Sequence, residues 1–427
     1  MARRGGLLRH RSFRLLWIGE TVSGTGTAMA TFVIPLLAVS VLQASTFEVS
    51  ALTAATYLPW LIIGLPAGAW ADRLPVRPLM IACDVAAAVL YASVPVAAWA
   101  GVLTIGQVLA VTLLAGAANV VFTTAYQVYL PAVVSAGDLL EGNAKLQGSA
   151  SMATIAGRST AGLAADALGS ATAVLYNAAS FLVSAGCLLC IRAEPARGGR
   201  TAGRAAGADG TSSMSPSQGA DIARGLGFIA RDPYLRPLTA YAAVGNLTYS
   251  GYTSLAVIFL VKTVGFGSAT AGVLMSATSA GGLVGALAAR RLANRFGTVP
   301  VMVVTTLITG AAGLLIPLTS TGPWVICYVG GAAGMGVGNL IGNILAAAFR
   351  QAYCPPEILG RTVAGVRFVS FGAIPLGALI AGTLGTTVGI RTALWIVLAG
   401  VALSGAILLG MPRQRVPQVA AATTATN

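Results

Sequence analysis

Gly64-Leu65-Pro66-Ala67-Gly68-Ala69-Trp70-Ala71-Asp72-Arg73-Leu74-Pro75-Val76-Arg77 closes one long apolar run and opens another. Gly64, Gly68 and Asp72 recur every fourth residue, so on a helix they share one face. Glycines on such a face let a partner helix come close. Asp72 then ends the face beside Arg73 and Arg77, which can pair with an acid or with the carbonyls at a helix C-terminus. A plain loop of positive charge with one acid would read the same way at lower resolution. In either reading the stretch is a short polar turn between two membrane spans, because a bilayer core needs about 20 apolar residues of helix on each side.

The rest of the chain repeats that plan. Of its 427 residues 56% are hydrophobic and 9% charged, against roughly 25% charged in a soluble domain. A chain this apolar has to turn its outer surface to lipid. About twelve helix-length apolar runs follow one another, from Leu15–Val41 to Thr392–Met411. The fourth (Thr104–Val134) and fifth (Ser149–Leu168) are the most interrupted by small and polar residues. The formal charge of +14 sits in the gaps, not on a polar domain, so it speaks for membrane orientation and against nucleic acid. Arg9, Arg11 and Arg14 precede the first span, and alternate loops carry Arg73 and Arg77, Lys145, Arg290 and Arg291, then Arg350 and Arg361. The opposite loops hold Lys262 and Arg391. The positive-inside rule then puts both termini in the cytoplasm of a multi-pass protein of the cell's inner (plasma) membrane.

Residues 193–219 have linker composition, and 220–232 read as an amphipathic helix with Ile222, Leu226 and Ile229 on one face, suited to lying on the inner membrane surface. The expected organisation is an all-α membrane protein: a six-helix bundle over 1–192, a central cytoplasmic loop over 193–232, a second six-helix bundle over 233–413, and a disordered cytoplasmic tail over 414–427. His10 is the single histidine, and the cysteines lie in or beside apolar runs, so no metal site, cofactor or catalytic dyad is expected.

Polar residues inside the spans fall in stripes. Glu20, Gly24, Thr27 and Thr31 share a face of span one; Asn119, Thr123, Tyr126 and Gln127 mark span four. Asn246, Tyr249, Ser250 and Thr253 mark span seven, and Asn339 and Asn343 span ten. A polar stripe avoids lipid, either by lining a cavity or by bonding to another helix. Intramembrane charge is rarer: Glu20, Asp84 on span three, Asp166 near the end of span five, and Arg158 near its middle. Glu20 lies roughly 8 Å beyond Leu15, at about 1.5 Å per residue. Asp84 has a similar depth on a span expected at the periphery, and Asp166 is expected to reach water. Gly330, Gly334, Gly338 and Gly342 form an every-fourth-residue row on span ten, a place for close backbone approach.

The Gly64–Arg77 stretch resembles the loop signature of the major facilitator superfamily, with Pro75 and Val76 where glycine and a basic residue are usual. Further matches are Phe13-Arg-Leu-Leu-Trp17, Ala125-Tyr-Gln-Val-Tyr-Leu-Pro131, Leu140-Glu-Gly-Asn-Ala-Lys-Leu146, Gly225-Leu-Gly-Phe-Ile-Ala-Arg-Asp-Pro233 and Gly372-Ala-Ile-Pro-Leu-Gly377. They resemble the branch of enterobactin-exporter-like and macrolide-efflux-like proteins. That resemblance implies the major facilitator fold, spans one, four, seven and ten lining a central pathway, and a secondary transporter, usually a proton-driven exporter. Arg158 stands after Gly157 where related exporters carry proline, and Thr124 and Asn177 stand where the branch often has acids.

The expected function is proton-coupled efflux, an antiport, of an amphipathic small molecule such as a drug, antibiotic or secondary metabolite, by alternating access. Lipid or siderophore transport is the second reading, and a non-transporting sensor or scaffold the reading of another class. Glu20, Arg158 and Asp84 are the candidate coupling residues. Glu20, Thr27, Asn119, Thr123, Tyr126, Gln127, Asn246, Tyr249, Thr253, Asn339 and Asn343 are the candidate cavity residues. Gly64, Gly68, Asp72, Arg73 and Arg77 are the candidate gate. The expected partners are a small-molecule substrate, protons and the bilayer, with the chain acting as a monomer and not as an enzyme.

Overall fold

The computed structural model describes residues 7–134, 138–191 and 226–410. Among them there is no strand; long helices follow one another in chain order. They are α1 (Arg11–Ser40), α2 (Thr46–Ile62), α3 (Gly64–Arg73), α4 (Val76–Trp99), α5 (Ile105–Val133), α6 (Leu139–Leu168) and α7 (Ser170–Cys190). After the central stretch come α8 (Leu235–Ile258), α9 (Ser268–Phe296), α10 (Thr298–Gly313), α11 (Val325–Tyr353), α12 (Pro356–Thr387) and α13 (Ile390–Leu409). With α2 and α3 counted as one span broken at Ile63, twelve spans stand where about twelve were expected.

Ten of these helices are long and apolar enough to cross a membrane by themselves. The two spans outside that set are α2 with α3, which the break shortens to 17 and 10 residues, and α6, which carries Arg158 and Asp166. The fifth span thus falls short by itself, as its interruptions suggested, while α5, also expected to be soft, passes as an ordinary apolar helix. Large apolar side chains such as Val89, Leu287, Ile326 and Leu403 stay exposed on the outer faces, where a bilayer covers them.

Contacts gather the chain into two units, Met1–Pro216 with Phe266–Ser276, and Ser217–Gly265 with Ala277–Asn427. The two share one pairing pattern. In the first, α1 packs chiefly on α7 and α6, and α4 on α7 and α5; in the second, α8 packs on α12 and α13, and α10 on α11 and α13. Each unit therefore sets its first span against its fifth and sixth, and its third against its fourth and sixth. A turn repeats as well. Gly169 (φ 81°, ψ 148°) joins α6 to α7, and Gly389 (φ 86°, ψ 153°) joins α12 to α13. That backbone region is essentially closed to any residue with a Cβ, so a single glycine reverses the chain at matching places.

Close helix approach rests on small residues. A Cβ at Gly26 of α1 would strike the Ser180 hydroxyl and come within 2.8 Å of Asn177 Oδ1 on α7. At Gly157 of α6 it would come within 2.6 Å of the Thr25 carbonyl on α1. The glycine row on α11 is such a seam over three of its four members: Gly334 and Gly338 meet Ala312 and Thr309 of α10, and Gly342 meets the Tyr241 hydroxyl of α8, while Gly330 meets nothing. The loop glycines differ from expectation. A Cβ on Gly68 would find nothing within 4 Å, and one on Gly64 would touch only Trp60 of the preceding helix. It is Ala67, fully buried with Val120 and Val121, that seats α3 on α5.

The linker 193–219, the first part of the expected amphipathic helix (220–225) and the tail 414–427 lie outside the described residues. Residues 226–231 are helical, and Ile229 is buried among Leu235, Cys354 and Val366. This corrects the expected surface helix: its apolar residue turns into the second unit. Asp232, directly after it, accepts hydrogen bonds from the Tyr234 and Leu235 amides and starts α8.

Candidate functional site

In the first unit one cavity of about 390 Å³ opens between α1, α4, α5, α6 and α7. The stripe of span one, Glu20, Gly24, Thr27 and Thr31, faces it throughout its length, since spacings of four, three and four keep residues on one side of a helix. Asn119, Thr123 and Tyr126 face it from α5, together with Phe122. Arg158 and Thr154 enter from α6. Gln127 is not among the lining residues and is exposed.

Asp84 corrects its expected place. It is 2% exposed, lines the same cavity as Glu20, and lies near the Ser184 hydroxyl of α7. Span three is thus not peripheral at this depth: α4 packs on both α5 and α7, and that packing rotates Asp84 inward. Glu20 and Asp84 are close enough for their charges to repel. Glu20 Oε1 and Asp84 Oδ2 are both occluded and have no hydrogen-bond partner among the described residues. Two carboxylates and one guanidinium thus line one cavity. Cys83 and Phe181 also line it and were not singled out in the sequence, where each sits in an ordinary apolar run.

Asp166 is exposed near the end of α6, as expected. Its Oδ2 accepts from the Ala269 amide at 3.0 Å, in the segment Phe266–Ser276 that belongs to the same unit, so it serves the start of α9 and not water alone. Nearby, the Ser159 and Ser276 hydroxyls are 2.7 Å apart.

Of the candidate gate, Arg77 has a defined task. Its Nε and Nη2 donate to the Leu188 and Leu189 carbonyls, each at 2.8 Å, at the C-terminal end of α7. Arg73 ends α3 and is exposed. The Asp72 side chain lies outside the described residues.

A second cavity, of about 230 Å³, lies in the second unit between α8, α11 and α12. Asn246, Asn339 and Asn343 line it, as do Tyr241, Arg350, Arg367 and Ser370. Arg350 was expected in a loop; it lies in the last turn of α11 instead, half-buried and facing this cavity. The signal was present, because Asn339, Asn343, Ala346 and Arg350 run at spacings of four, three and four. Tyr249 and Thr253 line neither cavity: Tyr249 packs its ring on Tyr252, and Thr253 bonds back to the Ser250 carbonyl.

The comparisons with known proteins follow the same lines. The family model described as Major Facilitator Superfamily matches residues 16–370 and 247–426. The multidrug efflux pump Tap of Mycolicibacterium fortuitum is 26% identical over 411 residues, covering 94% of this chain and 96% of Tap. Among solved structures, the nucleoside transporter NupG superposes with a TM-score of 0.75 at 13% identity, over 95% of this chain and 100% of NupG. A bacterial homologue of the iron transporter ferroportin, in an inward-facing state, superposes with a TM-score of 0.71 at 16% identity, over 95% of this chain and 99% of that one. At such identities the structural likeness speaks for the fold alone. Fold, repeated pairing pattern and family match agree, and this multi-pass membrane transporter belongs to the Major Facilitator Superfamily.

Proposed function

We propose that this chain is a proton-coupled exporter of amphipathic small molecules, working as a monomer in the plasma membrane by alternating access, with both termini in the cytoplasm. The observation that carries the reading is the pair Glu20 and Asp84, two acids from different helices facing one polar cavity with Arg158. Two acids this close are disfavoured when both carry charge, and Arg158 lines the same cavity. A site that exchanges protons as its surroundings change is what coupling to a proton gradient requires. Thr27, Asn119, Thr123 and Tyr126 offer hydrogen bonds, and Phe122 and Phe181 offer ring faces, to a substrate with polar and apolar parts. The Tap relative, a multidrug efflux pump, supports export and broad substrate choice. Asp72, at the end of α3, is the acid of the proposed gate.

The test is expression in a host stripped of its own efflux pumps, challenged with a panel of amphipathic compounds. The expected result is raised tolerance to some of them, lost when a protonophore collapses the gradient. Unchanged tolerance across the panel, or extrusion indifferent to the protonophore, overturns the reading.

A further inference from the structure

The second unit's cavity has the opposite chemistry to the first. Arg350 of α11 and Arg367 of α12 both line it, near enough for their charges to repel, and among the described residues no carboxylate lines it. Among the described residues neither arginine has an ion-pair partner. Asp232, the acid described nearest to this end of α11, is occupied: Oδ1 accepts from the Tyr234 and Leu235 amides and Oδ2 from the Tyr353 hydroxyl. Positive-inside arginines ordinarily reach into water. Arg350 instead is half-buried, with its guanidinium turned to a concave wall.

Neutral hydrogen-bonding groups complete that wall. The Ser370 hydroxyl lines the cavity on a residue only 8% exposed, and its oxygen has no partner. Asn246 is held in place by donating to the Ser370 carbonyl at 3.3 Å, and Asn343 by donating to Asn339 Oδ1 at 3.1 Å. A half-buried arginine beside a second one, with a buried unpartnered hydroxyl between their helices' polar groups, favours a counter-charge in the cavity. A planar guanidinium fork is matched to the oxygens of carboxylate or phosphate, and two forks on facing helices can clamp one such group. At about 230 Å³ the cavity takes a charged head group and not the whole of a drug-sized molecule.

We propose that Arg350, Arg367 and Ser370 form an oxyanion site in the second unit, taking the carboxylate or phosphate of a small organic anion or of a lipid head group. The site belongs to the second unit, and it is tested by binding alone, so it stands or falls apart from proton coupling.

The experiment measures binding to the purified full-length protein in neutral detergent, by calorimetry and thermal shift. The probes are 1-naphthyl phosphate, 1-naphthoate and uncharged 1-naphthol, with phosphatidylglycerol and phosphatidylcholine as lipid arms. The two naphthyl anions are expected to bind about tenfold or more tightly than naphthol, the scale of one charge-assisted contact. Arg367 is exposed, so Arg367→Gln should fold normally and lose that preference; Arg367→Lys should keep part of it, and Ser370→Ala should weaken it. If phosphatidylglycerol, but not phosphatidylcholine, displaces naphthyl phosphate in an Arg367-dependent way, the head group is a source of the anion; if neither lipid does, the source is a small solute. Equal binding of naphthol and the anions, or anion binding unchanged in Arg367→Gln, overturns the proposal.

Discussion

Arg77 reaches across the first unit from the start of α4 and donates to the Leu188 carbonyl at 2.8 Å, with its Nη2 on the Leu189 carbonyl at the same distance. These carbonyls belong to the last turn of α7, where the helix runs short of amides (the Leu188 carbonyl has a 3.3 Å bond from the Ile191 amide) and where the helix dipole favours a cation. One side chain thereby bonds two terminal carbonyls and ties the polar loop after α3 to the sixth span. Arg77→Gln is expected to lower stability by about 1–2 kcal/mol, since the contact is charge-assisted but half-exposed. Arg77→Lys should fall between, because one ammonium cannot reproduce a fork. Thermal unfolding in detergent measures both; a lysine variant as stable as the parent would show that charge alone suffices.

Two glycines separate a packing seam from an open face. Gly26→Ala forces a methyl onto the Ser180 hydroxyl and Asn177, and should cost about 1–3 kcal/mol. Gly68→Ala meets nothing within 4 Å, and should be neutral or stabilise α3 by up to about 1 kcal/mol through helix propensity. Yield of folded protein after extraction reads both, and loss at Gly68 with tolerance at Gly26 would invert the assignment.

Glu20→Gln keeps the shape of the side chain and removes its proton. In proteoliposomes carrying a pH gradient, uphill substrate movement is expected to fall to the level of protein-free vesicles, while exchange of labelled for unlabelled substrate persists. Undiminished uphill transport would move the coupling role to Asp84, whose Asp84→Asn variant is then the one to lose it.

Arg158 is the cation of a cavity that otherwise holds two acids. Arg158→Met leaves those acids to repel each other in a poorly solvated space, and breaking one side of a buried charge pair can cost about 3–5 kcal/mol. Low expression is the expected outcome, and adding Glu20→Gln should recover folded protein without recovering gradient-driven transport. Fluorescence-detected size exclusion gives the first result and the vesicle assay the second. No recovery of folded protein would show that Glu20 is not the acid Arg158 balances.

Much of this organisation was legible along the chain, because what a bilayer demands is local. Apolar runs of helical length, the arginine-bearing gaps between them and the stripe Glu20-Gly24-Thr27-Thr31 are each properties of one segment. A residue's bearing on its own helix follows from spacing alone, so that stripe had to face a single direction. The same spacing held Arg350 in line with Asn339 and Asn343, although its position at the edge of an apolar run favoured reading it as loop charge.

What spacing cannot supply is how each helix is rotated against its neighbours. Asp84 belongs to the same cavity as Glu20 only because α4 lies on α5 and α7, and Gln127 and Tyr249 do not line these two cavities although their helices carry the right stripes. Asp166 found an amide in a segment more than a hundred residues later. Gly26 and Gly157 bring backbones within reach where Gly68 does not, since a small residue permits contact and only the partner helix decides whether it is made. The sequence by itself determined the membrane class, the spans and the polar faces, because water and lipid act on each helix separately. The tertiary structure decided which acids share a cavity, which arginines face each other and which carbonyls are capped, because those depend on rotations and offsets set jointly by several packed helices.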